Sequence, residues 1–156
     1  MKKLVLQVIL ILAVIFMAGC SGGDEDSTTT SAAGDVSGDN LVISLENGAE
    51  SLMGYEPEAL DLEVIRQGET MNLSFIGVSL NAVLANLNAA DFSKIELVIS
   101  DMEENMDITE WAKADAGVFL AWSESGVDET PFRVFPKDAG TANLLIRNVT
   151  AVLIEK

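Results

Sequence analysis

The sequence predicts an α+β domain that is mainly β, with a few short helices. Segments rich in Val, Ile, Leu and Phe recur along residues 41–156 and are separated by Gly, Asn, Asp and Ser. Two of these segments alternate apolar and polar residues, which is the period of a half-buried strand. Few stretches have the spacing of an amphipathic helix. Strands therefore outnumber helices, and residues 40–156 are long enough to form one domain.

The first two elements of this domain are predicted to be a strand and a helix. Leu41 to Leu45 has the composition of a strand. Tyr55 to Leu60 is predicted to form a short helix, because Pro57 lies near its first turn. Proline is tolerated there, since backbone N–H groups in the first turn of a helix have no partner within the helix.

A β-hairpin is predicted next. Leu60, Leu62 and Val64 alternate with acidic residues, Met71, Leu73 and Phe75 alternate with polar ones, and Gln67-Gly68 lies between the two runs. This pattern places one face of both strands on a core. Gly77 is expected to end the second strand. Ser79 is then expected to cap a helix, because Leu80, Val83, Leu84 and Leu87 have helical spacing.

The rest of the chain is predicted to be mostly strands. One of them, Val118 to Trp122, is apolar on both faces, which indicates a central strand covered on both sides. A short helix is predicted near Trp111. The remaining predicted segments are Ile95–Ile99, Met106–Ile108, Phe132–Phe135 and Val149–Ile154.

The N-terminus resembles a lipoprotein signal peptide. Lys2 and Lys3 precede an apolar run, and Met17-Ala18-Gly19-Cys20 ends it with small residues before the chain's single cysteine. The run is too short to span a bilayer, which takes about 20 apolar residues. We therefore expect residues 1–19 to be a cleaved signal peptide. Cys20 is then the lipidated residue, and the protein is exported and anchored by lipid to the outer face of the cell membrane.

Residues 20–39 are predicted to be a flexible, acidic linker after the lipidated Cys20. The stretch is rich in Ser, Thr, Gly and Asp, has no aromatic residue, and has Val36 as its one bulky apolar residue. Such a composition buries too little surface to offset the entropy of ordering. The single domain then comprises residues 40–156.

Composition excludes several classes of function. The chain has 25 acidic and 9 basic residues, with a formal net charge of −16, so a nucleic-acid partner is not expected. It has no histidine and one cysteine. Catalytic triads, Cys-His pairs, His/Cys zinc sites and disulfides are therefore absent from the sequence. No catalytic residue and no metal ligand is assigned, and an enzyme is not the favoured interpretation.

Several short motifs resemble, in the same order, those of the sulfite-oxidase-like molybdopterin-binding domain. They span about residues 41–156. The motifs are Phe75-Ile76-Gly77-Val78-Ser79-Leu80, Ser100-Asp101, Phe119-Leu120-Ala121-Trp122, Ser125-Gly126, Pro131-Phe132-Arg133-Val134-Phe135-Pro136 and Arg147-Asn148-Val149. The resemblance implies the mixed, mainly-β fold of that family.

The resemblance also points to two cofactor-binding residues. Arg133 and Arg147 match places where the family has basic residues near its cofactor. A guanidinium group can grip a phosphate or carboxylate. The alternative is that Arg133, between Phe132 and Val134, points outward from a half-buried strand.

The catalytic chemistry of the family is not expected here. Its catalytic members bind molybdenum through the thiolate of a cysteine. The segment of this chain in the corresponding place, Ile65 to Gly68, contains Arg and Gln and no cysteine. No cofactor is therefore expected. The sequence favours a non-catalytic, membrane-anchored module that binds a small ligand or a protein partner. The alternative is a molybdopterin-dependent oxidoreductase, or a subunit of a redox complex, that retains an anionic cofactor.

Two further patterns have structural explanations. Asp101, Glu103, Asn105 and Asp107 alternate as in a calcium loop, but Met106 replaces the turn glycine, and a solvated turn is predicted instead. Trp111 and Trp122 are predicted to lie in the core; the alternative is that they line a ligand groove.

Overall fold

The computed structural model describes the backbone of residues 34–37 and 40–156, and the side chains of residues 40–126 and 132–156. The predicted signal peptide, the lipidation site Cys20 and most of the predicted linker lie outside the described residues. Within this part of the chain the fold is α+β and mainly β, as the sequence predicts.

The described strands form one antiparallel sheet with the order β1-β2-β9-β8-β7-β4-β3, and β5 and β6 are attached through β9. The strands are β1 (Gly34–Ser37), β2 (Asn40–Ser44), β3 (Glu58–Arg66), β4 (Glu69–Ser79), β5 (Lys94–Ile99), β6 (Met106–Asp107), β7 (Val118–Glu124), β8 (Val127–Pro136) and β9 (Ile146–Glu155). The helices are α1 (Leu80–Asn86) and α2 (Thr109–Lys113), with 3-10 turns at Gly48–Leu52 and Ala142–Leu144.

Strand β9 joins the two halves of the sheet. Its C-terminal half pairs with both β2 and β5, so that Ile154 lies opposite Leu41 on one side and Ile95 on the other. Its N-terminal half pairs with β8, where Val149 lies opposite Phe132. One strand therefore contacts three others, and the sheet bends around it.

The side chains of β7 enter two separate cores. Val118 and Leu120 pack in the larger cluster, with residues of β2, β5, β9 and α1. Phe119 and Ala121 point the other way and pack in the second cluster. The predicted central strand, covered on both faces, is thus confirmed.

The second cluster lies between the β3–β4 hairpin and the segment that follows β8. Phe75 of β4 and Phe135 of β8 are in contact, with ring centroids 4.7 Å apart. Ala139 and Leu145 from the segment between β8 and β9 cover the same cluster.

The predicted hairpin is confirmed by β3 and β4. Leu62 lies opposite Leu73 and Val64 opposite Met71, so the apolar residues share one face. Gln67 and Gly68 at the turn have φ angles of 53° and 85°. Positive φ at both central residues is the geometry of a type I′ turn, which matches the twist of the flanking strands.

Two local predictions are wrong. Tyr55–Leu60 is not a helix. Strand β3 begins at Glu58, which lies opposite Gly77, and it pairs with β4 in continuous register from there to the turn. The long ladder and the burial of its apolar face override the local signal of Pro57. Gly77 also does not end β4, which continues to Ser79 with a shift of register between Ile76 and Gly77.

The structure explains why glycine is needed at position 77. A Cβ there would lie 2.8 Å from Cα of Ala121 and closer still to the carbonyl oxygen of Leu120. Because glycine has no Cβ, the backbones of β4 and β7 can approach each other at this position.

The predicted helix after β4 is confirmed as α1. Leu80, Val83 and Leu84 are buried, and Ser79 occupies the N-cap position, although its hydroxyl makes no capping hydrogen bond. At the other end of the domain, β1 (Gly34–Ser37) pairs with β2. The sequence assigns these four residues to the linker, whereas the structure places their backbone in the sheet.

Candidate functional site

A cavity of about 380 Å³ opens at the hairpin end of the second cluster. The three arginines of the chain, Arg66, Arg133 and Arg147, all line it. The other lining residues are Val64, Ile65, Gln67, Met71, Leu73, Glu124, Thr141, Ala142, Asn143 and Leu145.

The three arginines come from distant parts of the sequence. Arg66 is the last residue of β3, Arg133 lies within β8, and Arg147 is the second residue of β9. The segment between β8 and β9 crosses to the hairpin, where the amide of Ile65 donates to the carbonyl oxygen of Gly140 at 3.0 Å. This crossing brings β3 and the start of β9 to the same cavity.

Arg133 is buried, with 3% of its surface exposed. It lies opposite Ala121 in the β7–β8 ladder and therefore faces the second cluster. Its neighbours Phe132 and Val134 pack in the larger cluster on the opposite face. The interpretation that Arg133 points outward is thus wrong, because both faces of β8 are covered at this position.

The guanidinium of Arg133 forms an ion pair with the carboxylate of Glu124, which is 16% exposed. Glu124 lies opposite Phe75 in the β4–β7 ladder, and Phe75 belongs to the second cluster. A charge in such an environment requires a partner, since burial removes its hydration. Glu124 thus offsets the charge of Arg133 inside the domain.

The other two arginines have a different setting. Arg66 and Arg147 are exposed, and neither forms an ion pair with any side chain that the structure describes. Among the lining residues whose side chains the structure describes, Glu124 is the one carboxylate, against three guanidinium groups. This described part of the lining therefore has a net positive charge, although the chain as a whole has a formal charge of −16.

Apolar residues also line the cavity, beside the Arg133–Glu124 pair at its base. Val64 is fully buried and Leu145 is 8% exposed, and both belong to the second cluster. At the rim, Ile65 is 53% exposed and Met71 is 37% exposed. Exposed Thr141 and Asn143 add a hydroxyl and an amide to the same rim.

Titration shifts occur elsewhere on the molecule. The pKa of Lys94 is raised, mainly by its side-chain hydrogen bond to Glu96, where Nζ donates to Oε1 at 2.7 Å. The pKa of Asp107 is lowered, mainly by hydrogen bonds from Thr109, whose backbone amide donates to Oδ1 at 2.8 Å. Both groups lie on the surface of β5 and β6, away from the arginines.

The described residues offer no group of three or more His, Cys, Asp or Glu side chains that could hold a metal ion. In the turn where the sequence suggests alternating oxygen ligands, Oδ2 of Asp101 accepts a hydrogen bond from Nδ2 of Asn148 at 2.5 Å. Trp111 and Trp122, which the sequence predicts to lie in the core, are half-buried and pack against the larger cluster. Among the described helices, none is long and apolar enough to cross a membrane.

The described lining of the cavity lacks a thiolate. Its sulfur is the thioether of Met71, and the chain's single cysteine is Cys20. Molybdenum in the resembled family requires a thiolate, and a soft donor cannot be replaced by guanidinium groups. The lining does fit an anion, since arginine forks bind phosphate and carboxylate oxygens.

Sequence reasoning found two of the three arginines and missed Arg66 and Glu124. The available signal was composition, because the chain has only three arginines among 25 acidic residues. Their convergence depends on the path of the chain between β8 and β9.

No protein-family model matches the chain, and no curated protein matches it. The functional assignment therefore depends on the geometry and charge of the cavity.

Proposed function

We propose that this protein is an exported, lipid-anchored binding module that takes a small anionic ligand into the three-arginine cavity. In this proposal Cys20 carries the lipid anchor and residues 20–33 form the remainder of the linker. In this proposal the domain binds its ligand without catalysing a reaction; among the described lining residues, no nucleophile is paired with a general base.

One observation carries the proposal. All three arginines of a strongly acidic chain line a single cavity, and two of them are exposed without a described ion pair. Scattered surface arginines in an acidic protein would be expected to lie beside carboxylates. A cationic cavity in an acidic surface attracts small anions and concentrates them at one place.

The sulfite-oxidase-like fold remains the more specific part of the proposal. It rests on the order of the motifs between Phe75 and Val149 and agrees with a mixed, mainly-β domain. The chain would then be a degenerate member that has kept basic residues at the old anion site and has no thiolate in the domain.

The test is a binding titration of the lipidated protein, purified from membranes and reconstituted in phosphatidylcholine nanodiscs. The probes are inorganic phosphate, acetate, benzoate and hexanoate. We expect at least one probe to bind with 1:1 stoichiometry and a dissociation constant of about 1 mM or lower.

Arg66→Gln and Arg147→Gln provide the variants, because both side chains are exposed and neither change disturbs the core. Each should weaken binding about tenfold or more, since a charge-assisted hydrogen bond contributes about 1.5–3 kcal/mol. Lys156→Gln removes the same charge outside the cavity and should leave binding unchanged. If no probe binds, or if all three variants weaken binding equally, the proposal is wrong.

The remaining alternative is a redox protein with a molybdopterin-type cofactor. Metal analysis of the protein purified from its native host separates the two functions. Stoichiometric molybdenum would overturn the proposal of a non-catalytic module.

A further inference from the structure

We infer that the ligand is a small polar dianion, that is, an organic molecule with two negative charges and at least one hydroxyl group. This inference rests on the proposed function and specifies its ligand class. It depends on which guanidinium charges of the cavity have an ion pair within the protein, and on the polar groups that lie beside them.

Two of the three guanidinium groups can pair with a ligand. Arg133 is buried and paired with Glu124, so its charge is offset within the protein. Arg66 and Arg147 are exposed, and neither forms an ion pair with a side chain that the structure describes. A ligand with one negative charge would pair with one of them. A second negative charge allows a second charge-assisted hydrogen bond, which is about twice as strong as a neutral one.

The two exposed arginines lie on different elements. Arg66 is the last residue of β3, and Arg147 is the second residue of β9. A ligand that contacts both guanidinium groups therefore bridges two strands. The cavity of about 380 Å³ lies at the small end of the range for small-molecule pockets, roughly 300–1,000 Å³. A small organic dianion fits within this volume.

The groups beside the arginines form hydrogen bonds. Gln67, Thr141 and Asn143 are exposed and line the same cavity with two amides and a hydroxyl. At the base, Glu124 pairs with Arg133 through Oε2, and Oε1 has no hydrogen-bond donor among the residues that the structure describes. A carboxylate repels anionic groups and accepts a hydrogen bond from a hydroxyl. The base therefore favours a hydroxyl group, with the negative charges of the ligand towards the exposed arginines.

The first comparison tests the second charge. The lipidated protein in phosphatidylcholine nanodiscs is titrated with succinate and with succinamate, its half-amide, which has one charge fewer at nearly the same size. The titrations are run at about pH 8, where carboxylates and phosphate monoesters are ionised. We expect succinate to bind about tenfold more tightly or better, the factor that corresponds to one hydrogen bond to a charged group.

The second comparison tests the hydroxyl group. Malate is succinate with an added hydroxyl, and glycerol 3-phosphate is propyl phosphate with added hydroxyls. The hydroxylated member of each pair should bind about threefold more tightly or better, from the net contribution of a typical hydrogen bond. Tighter binding of malate than of glycerol 3-phosphate identifies a hydroxylated dicarboxylate as the ligand, and the reverse order identifies a phosphate monoester; both results support the ligand class.

Arg66→Gln and Arg147→Gln show whether both guanidinium groups hold the dianion. Both positions are exposed, so neither change disturbs the core. In each variant the preference for succinate over succinamate should fall towards equality, because only one exposed guanidinium remains. Lys156→Gln, outside the cavity, should keep the full preference. If both arginine variants also keep it, the two guanidinium groups do not share one ligand, and the inference is wrong.

The outcomes separate this inference from the proposed function. If succinamate binds as tightly as succinate, or if neither hydroxylated probe binds more tightly than its partner, the inferred ligand class is wrong and the anion-binding function stands. If none of the anions binds, both are wrong.

Discussion

Arg133 and Glu124 form an ion pair inside the domain, with 3% of the guanidinium side chain and 16% of the carboxylate side chain exposed. The two residues lie on neighbouring strands, β8 and β7, on the face that the second cluster covers. The pair places a charged residue at the base of the cavity while keeping the core electrically balanced.

Arg133→Met should destabilise the domain by about 3 kcal/mol, because it leaves the Glu124 carboxylate largely buried without this partner. The double variant Arg133→Met with Glu124→Leu should recover much of that loss. Urea denaturation measures both free energies of unfolding. Arg147→Gln, at an exposed position, should change stability by less than about 0.5 kcal/mol. A double variant no more stable than the single one would contradict the role of the pair.

Gly77→Ala should destabilise the domain by about 3 kcal/mol, near the upper end of the cost of overpacking. The added Cβ would lie 2.8 Å from Cα of Ala121, and backbone cannot move aside as a flexible side chain can. Gly140→Ala is the matched control, because a Cβ there meets no atom within 4 Å. Thermal unfolding of the two variants compares them directly. Equal melting temperatures would show that β4 and β7 do not approach closely at position 77.

Asp107 should contribute to the loss of stability in acid. Hydrogen bonds from Thr109 lower the pKa of its carboxyl below the ordinary value of an aspartate. Because the folded pKa is the lower one, the contribution is fully present above the unfolded pKa and is lost as pH falls through the folded pKa. Asp107→Asn should therefore flatten the stability profile below about pH 4.

Unfolding free energies measured from pH 2 to pH 7 check this prediction. Asp115→Asn serves as the control, because Asp115 is exposed and follows α2 in the sequence, whereas Asp107 precedes it. If the unfolding free energy of Asp107→Asn falls below about pH 4 as steeply as that of the wild type, the hydrogen bonds from Thr109 do not affect stability.

Cys20→Ser should abolish lipid attachment. Metabolic labelling with a radioactive fatty acid should mark the wild-type protein and leave the variant unlabelled, because the thiol is the acceptor. The variant should also leave the membrane fraction. Label on the Cys20→Ser protein, or none on the wild type, would reject the lipid anchor.

Local patterns predicted most of the strands and helices. The β3–β4 hairpin follows from strict alternation and from Gln67-Gly68, and α1 follows from the spacing of Leu80, Val83 and Leu84. These signals lie within a few residues of each other, so the sequence contains them directly. The doubly covered strand β7 was also visible, because a run that is apolar on both faces requires two apolar surroundings.

Long-range pairing caused the wrong predictions. The second half of the predicted helix, Glu58 to Leu60, pairs with β4 instead. Gly77 continues β4, because its lack of a side chain lets the backbone of β7 approach closely. Neither effect is encoded near the residues concerned.

The sequence by itself determined the acidic charge, the lack of histidine, the single cysteine and the mainly-β character of the domain. Only the tertiary structure decided that Arg66, Arg133 and Arg147 meet at one cavity and that Arg133 is buried rather than exposed. The physical reason is that the direction of a side chain on a strand depends on which faces other elements cover. The crossing between β8 and β9, fixed by the contact of Ile65 with Gly140, supplies that cover here.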